Sequence, residues 1–231
     1  MNNNSSSGEI ISDFYTKFYK KIFHSKTRFS VTEIAYRFTH RAIENKVAHL
    51  NLRSKILEIG AGNGEHLSFV KNNYKEYIMV DKSKPQVIKL PSNKVKFIYS
   101  DISNCNFPAN SFDRIIITCV LHHLDNPFQV MSLLDKWLKK GGTISIFLPC
   151  DPGVAVRLSR FLFVNPRAKK VGFNKYNFIN ALEHKNHVWG LQVILNEIFY
   201  GYRARRKYYP FLIPNNNINL FSIQHLTKQS N

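Results

Sequence analysis

The stretch LEIGAGNGEH, residues 57–66, joins the end of an apolar run to glycines at every second position, Gly60, Gly62 and Gly64. Glycines directly after a strand tighten the turn, and the free N–H groups of the following segment can then approach a nucleotide closely. A dinucleotide fingerprint has the spacing G-x-G-x-x-G, which lets a helix pack over a pyrophosphate. Here position 65 is Glu, whose charge would oppose a pyrophosphate. The pattern therefore predicts a nucleotide-like cofactor without phosphates.

Short apolar runs alternate with helix-like segments from residue 55 onward. They lie at residues 55–60, 77–81, 95–101, 114–120 and 143–149. Runs that are apolar on both faces are typical of central strands in a parallel sheet covered by helices on both sides. Residues 207–214 and 219–228 resemble a hairpin with a polar loop. The predicted fold is therefore α/β: a Rossmann-like, doubly wound, seven-stranded sheet with five parallel strands plus an edge hairpin.

Two further parts are predicted to surround this sheet. Residues 1–8 are polar and are predicted to be a disordered tail. Apolar residues recur every three to five positions within residues 9–50, which predicts at least two helices, interpreted as an N-terminal lid. Residues 51–231 would form the main domain. Within it, residues 151–176 have turn signals at both ends and little strand character, and they are predicted to be an inserted cap.

Three helices are predicted within the main domain. One covers residues 64–73, directly after the glycine turn. A second covers residues 125–142 and is ended by Gly141 and Gly142. The third is a single long amphipathic helix over residues 177–199.

Composition and length exclude several classes of protein. The chain has 231 residues, of which 44% are hydrophobic and 21% are charged, as in an ordinary globular protein. It contains no run of eighteen apolar residues, so no membrane-spanning helix is predicted. The N-terminus lacks the pattern of a signal peptide. Three scattered cysteines favour free thiols in a reducing cytoplasm over disulfides or a metal site. The prediction is a cytoplasmic protein without a bound metal.

The net charge of +18 is concentrated towards the C-terminus, because residues 151–231 contain 12 basic and 3 acidic residues. A positive field attracts phosphates, anionic sugars or an acidic membrane surface. A basic surface retained for solubility is the alternative interpretation. The basic residues do not form one block, which weakens the case for nucleic acid.

Three motifs, in order along the chain, resemble class I S-adenosylmethionine-dependent methyltransferases. EIGAGNG (residues 58–64) resembles the first motif of that family. DISNCNFPANSFDRIIITCVLHHLDNP (residues 101–127) is similar to a segment of its quinone-biosynthesis-like branch. LKKGGTISI (residues 138–146) resembles the family's entry into strand five. The resemblance implies an enzyme with S-adenosylmethionine as cofactor.

The resemblance also implies a set of cofactor contacts. Asp81, at the end of the second strand, would accept the ribose hydroxyls, and Asp101 with its neighbour Ile102 would hold the adenine edge. Glu58 and the Gly60 backbone would lie beside the cationic methionine moiety, where an acid favours positive charge. An aspartate at a strand end is also a common helix N-cap. The complete predicted set is Glu58, Gly60, Gly62, Gly64, Asp81, Asp101, Ile102, Cys119 and His122.

One departure from the family lies between the second and third strands. Only thirteen residues, 82–94, separate them, and Pro85 lies in the first turn. The family usually has a longer helix there, which leaves contacts to the adenine from that side in doubt.

The methyl acceptor is expected at the carboxyl ends of strands four and five, where ligands bind in such sheets. His122 and His123 follow strand four, and either could act there, pack against the cofactor or cap the next helix. Asp151 ends strand five, and it either caps the following helix or faces the acceptor.

A third candidate group lies in the predicted long helix. Glu183, His184 and His187 are spaced so that they would share one polar flank, together with Asn186. One histidine would act as a base while an acid or amide orients it, or the set is a solvated surface. The spacing does not match a zinc helix. The candidate catalytic residues are His184, His187, Glu183, His123 and Asp151.

O-methylation of an anionic small molecule, a glycan or a lipid-linked sugar intermediate is the predicted function. EHKNH (183–187) and IPNNNINLF (213–221) are similar to uncharacterised methyltransferases associated with bacterial surface polysaccharides. Basic side chains that could clamp a phosphate are Arg157, Arg160, Arg167, Lys169, Lys170, Arg203, Arg205, Arg206 and Lys207. RNA or DNA methylation is an alternative, based on the pI of 9.9 and YGYRARRKYY. A non-catalytic protein that docks an acidic partner is a second alternative, and peripheral membrane contact stays open.

Overall fold

A seven-stranded sheet forms the centre of the protein in a computed structural model that describes residues 7–23, 31–45, 47, 51–70, 74–85 and 92–229. The strands are β1 (Lys55–Ile59), β2 (Glu76–Asp81), β3 (Val95–Tyr99), β4 (Phe112–Thr118), β5 (Leu138–Pro149), β6 (Arg203–Tyr209) and β7 (Phe221–Thr227). Their order is β3-β2-β1-β4-β5-β7-β6, and β1 to β5 run parallel. Strand β7 pairs antiparallel with both β5 and β6. The predicted fold class is confirmed.

Helices cover both faces of the sheet, and this explains why the central strands are apolar on both sides. The helices are α1 (Ser7–Asp13), α2 (Tyr19–Phe23), α3 (Val31–Glu44), α4 (Pro127–Trp137), α5 (Val154–Ser159), α6 (Asn165–Lys170), α7 (Tyr176–Glu183) and α8 (Val188–Ile198). One core cluster joins α4 and α8 to one face of the sheet, and it includes Leu57 and Ile115. A second cluster joins α3 to the other face through Ile43.

Two of the predicted helices differ from the structure near the sheet. After the glycine turn, the described residues form only a short 3₁₀ turn at His66–Phe69, and residues 71–73 lie outside the described part. Helix α4 ends at Trp137, because Leu138 already pairs with Phe112 of β4. The segment predicted to end this helix therefore belongs to β5.

The predicted long helix over residues 177–199 is wrong, since the chain leaves helical conformation between α7 and α8. Its backbone is extended at His187. Contacts to distant segments explain the break. The backbone N–H of Asn186 donates to the His122 carbonyl at 3.1 Å, and the backbone N–H of Val188 donates to the Asp151 carbonyl at 2.9 Å. The helical flank predicted to be shared by Glu183, His184 and His187 does not exist.

The N-terminal helices pack on the cap. A π-helical turn at Phe14–Phe18 joins α1 to α2, and the Phe14 ring lies 5.2 Å from the Phe173 ring. Helix α1 begins at Ser7, inside the segment predicted to be a tail, of which residues 1–6 lie outside the described part. The predicted break at residues 25–30 also lies outside it. No helix in the described ranges is long and apolar enough to cross a membrane.

The cap, residues 151–176, is mainly helical. Helices α5 and α6 are continuous through a π-helical turn at Arg160–Val164. Of the connection between β2 and β3, residues 86–91 lie outside the described part, and the flanking residues form no helix.

Candidate active site

The glycine turn has the backbone that its sequence predicted. Gly60, Gly62 and Gly64 all have positive φ angles, of 68°, 56° and 77°. A Cβ atom on Gly60 would lie 2.1 Å from Cγ2 of Val120, which follows β4. A side chain at Gly60 would therefore combine backbone strain with a clash, and the turn lies directly against the segment after β4.

The Glu65 carboxylate fills the inside of this turn. It accepts hydrogen bonds from the Asn63 backbone N–H at 2.9 Å and from the Asn63 side chain at 3.1 Å. A phosphate in this turn would meet a carboxylate instead of free N–H groups. The turn therefore fits a cofactor whose nearest part is neutral or cationic.

The two strand-end aspartates border the turn. One oxygen of Asp81 accepts from the Gly62 N–H at 2.8 Å, and the other accepts from the Ser83 N–H at 2.7 Å. Each carboxylate oxygen keeps a further lone pair, so Asp81 fits a ribose diol. Asp101 accepts from the backbone and side chain of Ser103, which makes it the cap of a 3₁₀ turn that begins at the buried Ile102. The predicted contacts of Asp101 and Ile102 with adenine stay predictions.

Glu58 lies inside the sheet and not at its edge. Its side chain is 1% exposed, and its Oε2 accepts from the Tyr77 hydroxyl at 2.7 Å. Burial raises the pKa of Glu58 to about 7, although His66 and the Tyr77 hydrogen bond oppose the shift. Glu58 can therefore act on a cationic cofactor group only through its electrostatic field. This field is reduced, because the buried carboxyl is only partly ionised near neutral pH.

The segment after β4 brings the predicted cofactor and acceptor regions together. Cys119 is exposed and has a φ of 56°, unusual for a residue other than glycine. Val120 touches the Gly60 turn, and His122 follows two residues later. His122 is buried, and its Nδ1 has no hydrogen-bond partner within the described ranges. A buried polar atom without a partner is rare in a native protein and indicates that a ligand or water completes the site.

Asp151 and His184 form a close pair at the carboxyl end of β5. His184 Nδ1 lies 2.5 Å from Asp151 Oδ2, and Arg160 donates to both oxygens of Asp151 at 2.8 and 2.6 Å. Burial alone would raise the pKa of Asp151, but the contacts with His184 and Arg160 hold it well below its usual range. The ionised carboxylate orients the imidazole, so Nδ1 carries its proton and Nε2 can accept one.

His122, His123 and His184 form an imidazole cluster. The His122 ring centroid lies 4.0 Å from that of His123 and 4.4 Å from that of His184. His123 Nδ1 donates to the Glu183 carbonyl at 2.8 Å. Burial lowers the pKa of His123 to about 4 and that of His122 well below its usual value. Both rings are therefore neutral at pH 7 and can accept a hydrogen bond.

The N-terminal helices reach this cluster through the Tyr15 side chain. The Tyr15 hydroxyl donates to Oε2 of Glu183 at 3.1 Å, and the same oxygen lies 3.9 Å from His123 Nδ1. Burial and the neighbouring Glu183 carboxylate raise the pKa of Tyr15. Glu183 thus links the N-terminal helices to the imidazole cluster.

His187 lies apart from the other candidates. It is exposed and occupies the N-cap position of α8, without a side-chain hydrogen bond to the helix. The structure therefore brings Asp151, His123, Glu183 and His184 together and leaves His187 outside.

The imidazole cluster is also the place where the described residues could hold a metal ion. One ring nitrogen from each of the three histidines lies within 4.8 Å of the others. Imidazole nitrogens suit transition metals. The absence of a metal stays a prediction.

Two residues of the site were missed by sequence reasoning. Arg160 was identified only as one of nine basic side chains that could clamp a phosphate, and Tyr15 was not singled out. Their partners Asp151 and Glu183 are 9 and 168 residues away. A local pattern carries no signal for the contact between Tyr15 and Glu183.

Comparisons with known proteins agree with this architecture. Residues 57–146 match the family described as "Methyltransferase domain". The chain is 30% identical over 105 residues to phosphoethanolamine N-methyltransferase of Plasmodium falciparum (isolate 3D7), covering 42% of this chain and 40% of that protein. It is 25% identical over 115 residues to malonyl-[acyl-carrier protein] O-methyltransferase of Paenibacillus sp. (strain JDR-2), covering 45% and 41%. The chain spans less than half the length of these curated relatives.

Solved structures support the fold over almost the whole chain. The plantazolicin methyltransferase BpumL in complex with SAH superposes with a TM-score of 0.63 at 18% identity, covering 95% of this chain and 94% of that one. Residues 57–146 are therefore similar to a methyltransferase domain, and the chain has the fold of the methyltransferase structure that it superposes on.

Proposed function

We propose that the protein transfers a methyl group from S-adenosylmethionine to a hydroxyl oxygen of an anionic small molecule, glycan or lipid-linked sugar intermediate. S-adenosylmethionine supplies a methyl group activated by its sulfonium charge. The observation that carries the proposal is the close contact between Asp151 and His184, which is a member of the imidazole cluster. This contact lies at the ends of strands that come after the glycine turn in the chain.

The glycine turn and Asp81 would hold the cofactor. The Val120 contact with Gly60 joins this pocket to the segment that carries His122 and His123. Methyl transfer depends chiefly on holding the acceptor in line with the donor. The position of the imidazole cluster supports an acceptor bound directly beside the cofactor.

His184 would act as the general base. Its Nδ1 proton is held by Asp151, so its Nε2 can take the proton of an acceptor hydroxyl while the oxygen forms its bond to the methyl carbon. The products are then a methyl ether, S-adenosylhomocysteine and a protonated His184. The neutral His122 and His123 would accept hydrogen bonds from the acceptor and fix its orientation.

An anionic acceptor is supported by the charge around the site. Residues 151–231 contain 12 basic and 3 acidic residues. Two of the acidic residues already have partners, since Asp151 pairs with Arg160 and Glu183 accepts from Tyr15. This excess of positive charge would favour a phosphate or a carboxylate near the entrance.

His184→Ala tests the base, with His187→Ala as the matched control. We expect His184→Ala to lower kcat by roughly 10²–10⁴-fold while leaving S-adenosylmethionine affinity unchanged. His187→Ala should stay near wild type, because His187 is exposed and outside the cluster. Equal turnover in both variants would show that the Asp151–His184 pair is structural.

The acceptor class is tested separately with methyl-labelled S-adenosylmethionine. We expect label in nucleotide-sugar or lipid-linked sugar extracts and none in total RNA. Label in RNA alone would replace this proposal with nucleic-acid methylation. Absence of S-adenosylmethionine binding by calorimetry would favour a non-catalytic protein.

A further inference from the structure

The outer side of the cap carries large apolar side chains that face solvent. Val154, Leu158, Phe161 and Leu162 are all exposed, and Phe161 is 69% exposed. Their spacing of i, i+4, i+7 and i+8 places them on one side of the cap helices, whereas Val156 is buried on the other. A contiguous apolar stripe of this kind on a protein surface marks an interaction site.

The loop between β6 and β7 extends this stripe. Phe211, Leu212 and Ile213 are exposed. The loop lies against the start of the cap, since the Ala155 N–H donates to the Asn217 carbonyl at 2.7 Å.

The backbone at Leu212 is an independent observation on this loop. Leu212 has a φ of 61°, in the left-handed region that is unfavourable for a bulky residue. Asparagine adopts this conformation more readily than leucine does. The same loop contains asparagines, but at residues 215–217 and not at position 212. A strained leucine that is also 62% exposed stabilises neither the turn nor the core.

Helix α3 contributes the third part. The Phe38 ring lies 5.3 Å from the Tyr209 ring at the end of β6, and Ile34 is exposed one helical turn earlier. We use the term apolar face for these three parts together: the outer side of the cap, residues 211–213, and Ile34 with Phe38.

The charged side chains along the cap part of the apolar face have a single sign. Residues 154–170 contain five lysines and arginines and no acidic residue. Arg157 is exposed four residues before Phe161, so it borders the stripe. Apolar side chains flanked by cations match the interfacial region of a bilayer, where acyl chains lie next to lipid phosphates. A protein partner would match this surface only if its own apolar patch were flanked by acidic residues.

We propose that the apolar face docks the protein on the surface of a membrane that contains anionic lipids. The face begins at Val154, three residues after Asp151, so docking holds the candidate active site next to the lipid surface. Attachment is peripheral, since the apolar side chains enter only the headgroup and upper acyl region.

Vesicle co-sedimentation of the full chain tests the docking. We expect binding to phosphatidylcholine vesicles that contain phosphatidylglycerol, weaker binding at high salt, and little binding to phosphatidylcholine alone. Phe161→Ser should reduce binding roughly tenfold or more. Arg157→Glu should reduce binding to the anionic vesicles.

Two further variants keep the result interpretable. Tyr200→Ser is the matched control, because Tyr200 is 90% exposed but lies near the opposite end of β6 from the 211–213 loop, and its binding should equal wild type. Leu212→Asn should bind vesicles more weakly while unfolding at an equal or higher temperature, since it relieves the left-handed backbone. The same loss with Tyr200→Ser, or unchanged binding with Phe161→Ser, would overturn the proposal. A protein that does not bind vesicles but forms a dimer that Phe161→Ser dissociates would also overturn the proposal. In that case a second copy of the chain would cover the apolar face.

Discussion

Glycine is needed at individual positions of the cofactor turn, because a Cβ atom there would lie too close to a neighbouring side chain. We expect Gly60→Ala to weaken S-adenosylmethionine binding at least tenfold and to destabilise the fold, since its Cβ would meet Val120 Cγ2 at 2.1 Å. Gly172→Ala is the matched control: its φ of 85° gives similar backbone strain, but nothing lies within 4 Å of its Cβ. Calorimetry on both variants compares a crowded position in the cofactor turn with an open position in the cap. Equal affinity in both would contradict a tight packing role for Gly60.

Glu58 gives the protein a pH-dependent stability of known sign. Its pKa is raised from 4.5 to about 7 by burial, so between these values the folded state holds a proton that the unfolded state has lost. The contribution of Glu58 to stability should therefore fall as pH rises through this range and level off above about 7. Glu58→Gln removes this contribution. The difference in free energy of unfolding between Glu58→Gln and wild type should therefore change by about 3 kcal/mol between about pH 4 and pH 8.

Urea unfolding at several pH values measures this difference. Glu197→Gln is the control, because Glu197 is exposed on α8, and its stability should follow wild type. Parallel curves for Glu58→Gln and wild type would show that the pKa of Glu58 is the same in the folded and unfolded states.

The residues of the turn were predictable from sequence, whereas the pairing of the candidate base with Asp151 was not. Gly60 and Asp81 lie in local motifs, because backbone conformation and strand ends are local properties. His184 was identified as a candidate base, but on a helical flank with His187. Its actual partner, Asp151, is 33 residues away, and only the folded chain brings the two together.

At the scale of elements, predictions succeeded where short-range patterns dominate. The apolar runs identified all five parallel strands, since a buried strand is apolar whatever it pairs with. The helix over residues 177–199 failed, because Asn186 bonds to the loop after β4 through its backbone and side chain. Those bonds depend on tertiary structure and override a local helical pattern.

Helix α3 is fixed to the sheet by a buried ion pair. The Glu44 carboxylate contacts Arg114 at 2.8 Å and His66 at 3.0 Å, with all three side chains buried. Burial alone would raise the pKa of Glu44, but His66 and Arg114 lower it to about 2. We expect Glu44→Gln to destabilise the protein by about 3–5 kcal/mol, because it leaves the Arg114 charge without its partner.

Urea unfolding near neutral pH measures this effect, with Glu76→Gln as control. Glu76 pairs with the partly exposed Lys55 and Lys96, so its loss should change stability by less than about 1 kcal/mol. Similar values for the two variants would show that the buried pair contributes no more than a surface pair.

For the whole molecule, helices α1 and α2 pack with the cap and α7 as one layer next to the candidate site. Phe14, Phe173 and Ile179 belong to one core cluster that is separate from both clusters on the sheet. The Tyr15–Glu183 hydrogen bond ties this layer to the imidazole cluster. A separate core can open without unfolding the sheet, and such layers commonly gate access to active sites.

Phe14→Ala should therefore loosen the layer as a unit. The buried Phe14 ring contacts the rings of Phe173 and Tyr176, and its truncation should lower the opening free energy by about 3 kcal/mol. Amide hydrogen exchange in α6 and α7 should then rise roughly 100-fold, while β1 and β4 keep wild-type protection. Phe128→Ala, on the exposed side of α4, should change neither region. A rise of equal size in the sheet would mean that layer and sheet unfold together, in which case acceptor entry cannot depend on opening of this layer alone.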